Sequence, residues 1–368
     1  MIDAIIQLTS EFEPTDIMLY SGLVIGLLFG ALAQKSAFCF RMMIVDLAEN
    51  RRSVATTMFF AALSLAILGS QWLFHSTEIE LQGIIPLLDS YSLGGIVLGG
   101  LMFGTGMILA GGCTGRHLIL AAQGSARSWF VLLIIAISAY ATLRGFLALG
   151  RIELNALGNY DLIGAATGQL QLSQLFTDES QVQFVLALGL GAIMLLGVSL
   201  RALRQRHLSA LAYGLAIGSL IPLTWLITGV IAFDEFEPVP AQSLSFVAPV
   251  ANALQFLMTY TGSSANFTST LIAGVLIGAS ALALLSGQFS FKGFTQERDI
   301  IRYFCGAMLM GFGGVTALGC TVGQGLAGMS LLSISSIIAT LAIATGGFVT
   351  AKLRSGQTQN YSGSASSV

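Results

Sequence analysis

The sequence predicts an all-α integral membrane protein: about nine transmembrane helices in two inverted-topology repeats, with re-entrant half-helices meeting at the centre. Three observations predict it. Hydrophobic residues fill 55% of the 368 positions and charged residues only 9%, with a mean hydropathy of +0.82, against about a quarter charged in soluble domains. Apolar runs of membrane length recur along the chain. A Gly-Cys-Thr motif is written twice, as LAGGCTGRH over 109–117 and TALGCTVGQ over 316–324, each time where an apolar helix would otherwise continue.

The amino-terminal segment, MIDAIIQLTSEFEPTD over 1–16, carries acids and lacks the basic start and apolar core of a cleavable signal peptide, so the first span is expected to be retained. Runs long enough to cross the hydrocarbon core then follow at 17–35, 54–74, 92–112, 128–150, 181–200, 208–232, 267–286, 300–319 and 333–352. Residues 241–260 are also apolar, but Pro249 near their middle and acids just before them suit a re-entrant or interfacial piece. The expected division is an N-terminal segment 1–16, a first transmembrane repeat 17–150, a connector 151–207 that includes one span, a second, inverted repeat 208–352, and a polar, serine-rich tail 353–368 that reads as disordered.

Basic residues set the orientation, because short cytoplasmic loops are enriched in them. Arg41, Arg51 and Arg52 follow the first span, Arg116 and Arg127 the third, Arg201, Arg204 and Arg206 the fifth, and Lys292, Arg298 and Arg302 flank the start of the eighth. Those loops share one side. The other holds Glu78, Glu80, Asp89, Asp178, Glu179, Asp234, Glu235 and Glu237, with Arg144 and Arg151 as the exceptions. The amino terminus is therefore expected in the periplasm and the carboxyl terminus in the cytoplasm. The net charge of −2, with the cations in short clusters, argues against nucleic acid as a partner.

Aligning Cys113 with Cys320 matches Gly104, Gly106, Ala110, Gly112, Cys113 and Thr114 to Gly311, Gly313, Ala317, Gly319, Cys320 and Thr321. GLVIGLL at 22–28 returns as GLAIGSL at 214–220, in the same order relative to the cysteine motif. An odd number of spans separates equivalent positions, so the repeat is inverted. Each motif stops a helix and is followed by a stretch too short to span, RHLILAAQ or QGLAGMSLL. A re-entrant half-helix after each cysteine would turn free amides and a positive dipole end toward the centre, where an anion can bind.

The candidate binding residues are Cys113 and Cys320 with the adjoining Gly112, Thr114, Gly115, Gly319, Thr321 and Gly323, and Cys39 in QKSAFCFRMM. The second-half counterpart of Cys39 falls near Thr228 and Gly229, without a cysteine. The three thiols suit a file with Cys320 outermost, Cys113 central and Cys39 nearest the cytoplasm. Cys305 matches no motif position and is expected as a small buried hydrophobe. Arg116 and His117 read as loop or lipid-phosphate residues, Trp72 and Trp129 as interface anchors, and Trp225 either as a constriction of the path or as core packing. No CxxC pair occurs, so neither a zinc site nor a thioredoxin-type motif is indicated.

At the doubled motif and Cys39 the chain resembles the YeeE/YedE family of bacterial inner-membrane sulphur-transport proteins, over roughly residues 17–352. The resemblance implies a nine-span monomer in the inner membrane that imports thiosulfate or a related small sulphur anion, relayed along Cys320, Cys113 and Cys39. It also implies delivery to a small cytoplasmic TusA-like sulfurtransferase, with the lipid bilayer as the only other surround and no enzymatic activity. The chemistry is compatible: thiosulfate is a dianion with a soft terminal sulphur, and protonated thiols are weak, polarizable donors that bind without trapping. Two rivals stay open. A membrane thiol-disulfide oxidoreductase needs close cysteine pairs, which the sequence does not write; an anion channel is allowed by the same architecture.

The basic-residue pattern makes a direct prediction. A reporter fused after Arg206 reports as cytoplasmic and one placed near Glu235 as periplasmic; the reverse pattern overturns the orientation.

Overall fold

The computed structural model describes residues 13–51, 53–77, 84, 92–156, 180–233, 239–294 and 297–364. The residues expected to mark the outer side, Glu78, Glu80, Asp89, Asp178, Glu179, Asp234, Glu235 and Glu237, lie outside them.

Every expected span is helical. The helices are α1 (Pro14–Ser36), α2 (Phe40–Ala48), α3 (Val54–Ser76), α4 (Leu93–Ala110), α5 (Thr114–Ala122), α6 (Ala126–Arg144), α7 (Leu147–Ala156), α8 (Ser180–Gln205), α9 (Leu208–Leu226), α10 (Val247–Met258), α11 (Phe267–Leu285), α12 (Glu297–Thr316) and α13 (Ile334–Ser364). Two π-helical turns interrupt this pattern, Ile227–Ile231 directly after α9 and Gly323–Gly328 between α12 and α13. Among the described residues, eight helical stretches are long and apolar enough to cross a membrane; the exception is the eighth expected span, α12, which opens on Glu297 and of which only Ile300–Thr316 is apolar.

Caps explain where the spans begin. Ser53, Ser92 and Ser125 accept the third amide of α3, α4 and α6 on their hydroxyls, and Asn266 opens α11 in a reciprocal capping box with Ser269. The fourth expected span ends earlier than its apolar run, because the chain breaks at Gly145 and restarts as α7. Residues 241–260 prove to be an extended stretch followed by the 12-residue α10. At about 1.5 Å per residue that helix is too short to cross a core of about 30 Å.

The helices pack closely because glycine lines their contacts. Gly22, Gly26 and Gly30 on α1 sit against the carbonyls of Phe267, Leu271 and Val275 on α11, while Gly274 and Gly278 on α11 sit against those of Leu23 and Leu27. On α9, Gly214 and Gly218 meet the carbonyls of Met58 and Ala62 on α3 in the same way. At the centre α4 crosses α12: a Cβ at Gly106 would lie 2.5 Å from the Gly306 carbonyl, and one at Gly313 2.6 Å from that of Gly99. Between helices in lipid no hydrophobic force remains, so van der Waals contact at this range, which any larger residue would prevent, holds the bundle.

Gly26→Ala is therefore expected to destabilise the protein by about 1–3 kcal/mol through overpacking, whereas Gly197→Ala, with open space around it, is expected to be neutral. Thermal unfolding of the detergent-purified proteins checks this; a Gly26→Ala variant as stable as wild type would contradict the packing argument.

Candidate functional site

Three helix breaks build the site, and each carries a cysteine. The backbone turns left-handed at Ala37 (φ 52), Gly111 (φ 85) and Leu318 (φ 61), in each case two residues before a cysteine. Helix α2 starts immediately after Cys39, α5 immediately after Cys113, and the second π turn three residues after Cys320. Glycine takes this conformation freely, but at alanine or leucine it costs roughly 1–2 kcal/mol. The surrounding packing must therefore hold the breaks at Cys39 and Cys320. The first of these, α1 to α2, is a third broken helix where the sequence suggested only a span end.

The breaks converge. Cys39 and Cys113 are buried, and their thiols face each other closely enough to interact side chain to side chain. Thr321, from the other motif, reaches the Cys113 sulphur, though its buried hydroxyl closes no well-formed hydrogen bond. Cys320 accepts the Gly323 amide on its sulphur at 3.4 Å, and the amides at the same spacing after Cys39 and Cys113, those of Met42 and Arg116, interact with those sulphurs. A narrow cleft with room for little more than one water molecule lies at this centre, walled by Phe29, Phe38, Phe40 and Phe59 and reaching Cys113, Gly115, Arg116 and Thr321. Thr114, fully buried at the first position of α5, has a hydroxyl without a partner. Buried hydroxyls left unpaired are costly, and a polar ligand would satisfy them.

The remaining expected site residues divide by role. Gly115 lets the Phe246 ring approach the first turn of α5, a Cβ there falling 3.1 Å from it. Gly112 and Gly319 leave room for two side chains one turn further on: His117, whose Nε2 would lie 3.3 Å from a Cβ at Gly112, and Gln324, whose Cγ would lie 3.0 Å from one at Gly319. Those two glycines therefore serve packing, and no ligand role follows from their position.

Several expectations need correction. Cys305 is exposed on α12 and is no buried hydrophobe. Arg116 lines the cleft beside Cys113, and its charge and that of Arg41 both act on Cys39, because α5 turns inward and brings its first turn to the centre. A buried guanidinium nitrogen of each, Nη1 of Arg116 and Nε of Arg41, has no hydrogen-bond partner. His117 is a buried residue and no loop residue. Close thiols do exist, since the fold creates in space the cysteine pair that spacing along the chain does not show. Trp225 is buried against Phe74, with its rings 5.9 Å apart, whereas Trp72 and Trp129 are more than half exposed, as interface anchors would be.

A sequence model of the family described as sulphur transport matches residues 35–349. The chain belongs to the sulphur-transport family. It is similar to the thiosulfate transporter TsuA of Spirochaeta thermophila, 26% identical over 342 residues that cover 88% of this chain and 95% of that protein. It is also similar to the thiosulfate transporter TsuA of Escherichia coli, 28% identical over 331 residues covering 84% and 87% of the two chains.

In this family member the residues that sequence reasoning missed are the two that brace the breaks. His117 Nδ1 lies 3.3 Å from Ser128 Oγ at the start of α6, and its buried Nε2, near the Ala110 carbonyl at the end of α4, closes no well-formed hydrogen bond. Gln324 does the same in the other motif: its amide donates to the Ala317 carbonyl at 3.2 Å and its oxygen accepts from Ser336 on α13. A histidine and a glutamine occupy the fourth position after each cysteine, and each ties a broken helix end to the next span. The signal was present in the aligned motifs, but chemically different residue types concealed it.

His117→Gln is accordingly expected to keep stability and uptake near wild type, while His117→Ala strands Ser128 and loosens α5 at a cost of about 1–3 kcal/mol. Thermal unfolding and uptake measured side by side check this, and equal damage from both substitutions would refute the bracing role.

Proposed function

We propose that this chain imports thiosulfate, or a closely related small sulphur anion, across the bacterial inner membrane, with Cys320, Cys113 and Cys39 as successive stations. The observation that carries the reading is the convergence of three separate helix breaks on one cleft, lined by Phe38 and Phe40 from the first, by Cys113 from the second and by the partnerless Thr321 from the third, with the Cys39 thiol set against that of Cys113. The thiosulfate transport of the TsuA relatives suggests the substrate.

An inverted repeat, 17–150 against 208–352, is supported by helix pairings that come in twos. Helix α1 packs on α11 as α9 does on α3; α4 on α13 as α12 does on α6; α5 on α11 as the second π turn does on α3; and α2 on α13 as α10 does on α6. The helix pair α4 and α12 lies on the axis of that exchange. With the amino terminus outside, Cys320 opens toward the periplasm and Cys39 toward the cytoplasm, and one chain holds the whole path.

Along that path a thiol donates weakly to the anion and releases it as easily, so the ion can step from Cys320 past Thr321 to Cys113 and on to Cys39. The first amides of α5, with the dipole behind them, add stabilisation where the ion is furthest from water. The charges of Arg41 and Arg116 both act on Cys39. Their field draws a dianion inward, and a cytoplasmic TusA-like sulfurtransferase would keep that end empty by accepting the sulphur. The aromatic walls favour stepwise passage over an open channel. The Cys39 and Cys113 pair gives the redox alternative a specific footing: a disulfide between them would remove two donors and close the path.

Cys113→Ala and Cys320→Ala are expected to lower uptake of labelled thiosulfate into proteoliposomes to background without loss of folded protein. Cys305→Ala is expected to transport like wild type, and Cys113→Ser, which keeps a harder donor, to retain partial activity in reducing buffer. Full activity of Cys113→Ala, or activity that disappears on adding reductant, would refute the relay.

A further inference from the structure

The stretch before α10 enters the centre of the molecule, although nothing in the doubled motif points to it. It is held at its start by Thr228, whose hydroxyl accepts the Gln242 amide at 3.1 Å and donates to the Gln242 carbonyl at 2.7 Å. Leu244 and Phe246 are fully buried, and the Phe246 ring lies 4.9 Å from that of Phe29. Between them Ser245 is half-buried, with its Oγ 3.9 Å from Cys320 Sγ, within hydrogen-bonding reach of sulphur. The approach is tight: a Cβ at Gly323 would fall 2.8 Å from Ser245 Oγ. Gly323 is thus glycine for two reasons, since its amide bonds the Cys320 sulphur and its missing side chain admits Ser245.

We propose that Ser245 is the outermost binding residue of the pathway, its hydroxyl and the Cys320 thiol holding the incoming anion at two points. The inference rests on the thiosulfate reading above and adds to it a residue and a means of recognition. Cys113 has Cys39 beside it; Cys320 has Ser245 in the corresponding place. The counterpart of Cys39 is thus Ser245, while Thr228, near which the aligned repeats placed it, anchors the segment that carries that serine.

The difference between the two pairs matters chemically. Two thiols with guanidinium charge nearby form the Cys39 end, and one thiol with one hydroxyl forms the Cys320 end. A hydroxyl is the harder, stronger donor and suits a sulfonate oxygen; a thiol is polarizable and suits the terminal sulphur. Thiosulfate presents both ends. Sulphate lacks the soft end, and a bare sulphide lacks the oxygens, so a station that uses both donors discriminates against each. The burial of Leu244 and Phe246 fixes Ser245 before the ion arrives, so little ordering is lost on binding.

The test is the concentration dependence of thiosulfate uptake by full-length protein in proteoliposomes, with folding checked by thermal unfolding. Ser245→Ala is expected to raise the half-saturating concentration about tenfold, the low end for a lost hydrogen bond to a charged group, with a smaller change in maximal rate. Ser245→Cys keeps a donor of nearly the same shape and is expected to fall between wild type and alanine; it carries the test if the alanine variant does not fold. Wild-type half-saturation in both variants would overturn the proposal, as would a loss confined to maximal rate. A wild-type protein that takes up no thiosulfate, or a fully active Cys320→Ala, would instead overturn the reading on which it rests, and the station with it.

Discussion

A helix that stops inside a bilayer leaves amides and carbonyls with no water to bond, and the architecture of this protein follows from that constraint. Its breaks at Ala37, Gly111 and Leu318 are tolerated because they are enclosed by other helices, and the freed groups are used locally. The Gly323 amide bonds the Cys320 sulphur, and the Gln324 side chain caps the Ala317 carbonyl. The buried hydroxyls of Thr114 and Thr321 stay unpaired. The ends of the broken helices thus present donors with nothing in the protein to bond, in the same space as the cysteines.

Enclosing such ends requires helices closer together than most side chains permit. The glycines of α1, α4, α9, α11, α12 and α13 meet this need by letting backbone lie on backbone, so a chain with 43 glycines is not a loosely built one. The central crossing of α4 and α12 links both motifs, since each helix ends in one of them. Any loosening there would move Cys113 and Cys320 relative to each other. Packing and site are one construction.

The surroundings of the two motif cysteines differ although the helix breaks that carry them are alike. Arg116 follows one cysteine at the position where Gly323 follows the other, so one cysteine has a charge beside it and the other a space. A serine enters that space. Symmetry in the backbone with asymmetry in the side chains is what a path for one-way delivery of an anion needs: weak, selective contact at one end and attraction at the other.

Much of this was legible in the sequence, because apolar length, glycine content and a repeated motif are properties of the chain itself. The run of apolar helices, eight of them of membrane length among the described residues, and the doubled break at Cys113 and Cys320 follow from composition, spacing and self-similarity, which no fold is needed to read. What only the tertiary structure decided concerns residues brought together from distant parts of the chain. The contact of Cys39 with Cys113 depends on a left-handed alanine that no motif announces. The equivalence of His117 with Gln324 depends on what each side chain reaches, not on its type. Ser245 lies 75 residues from Cys320 in an otherwise unremarked apolar stretch, and only the pinning of Gln242 by Thr228 and the missing side chain of Gly323 bring it there. A one-dimensional pattern records which groups a chain possesses; close packing in three dimensions determines which of them share a cavity.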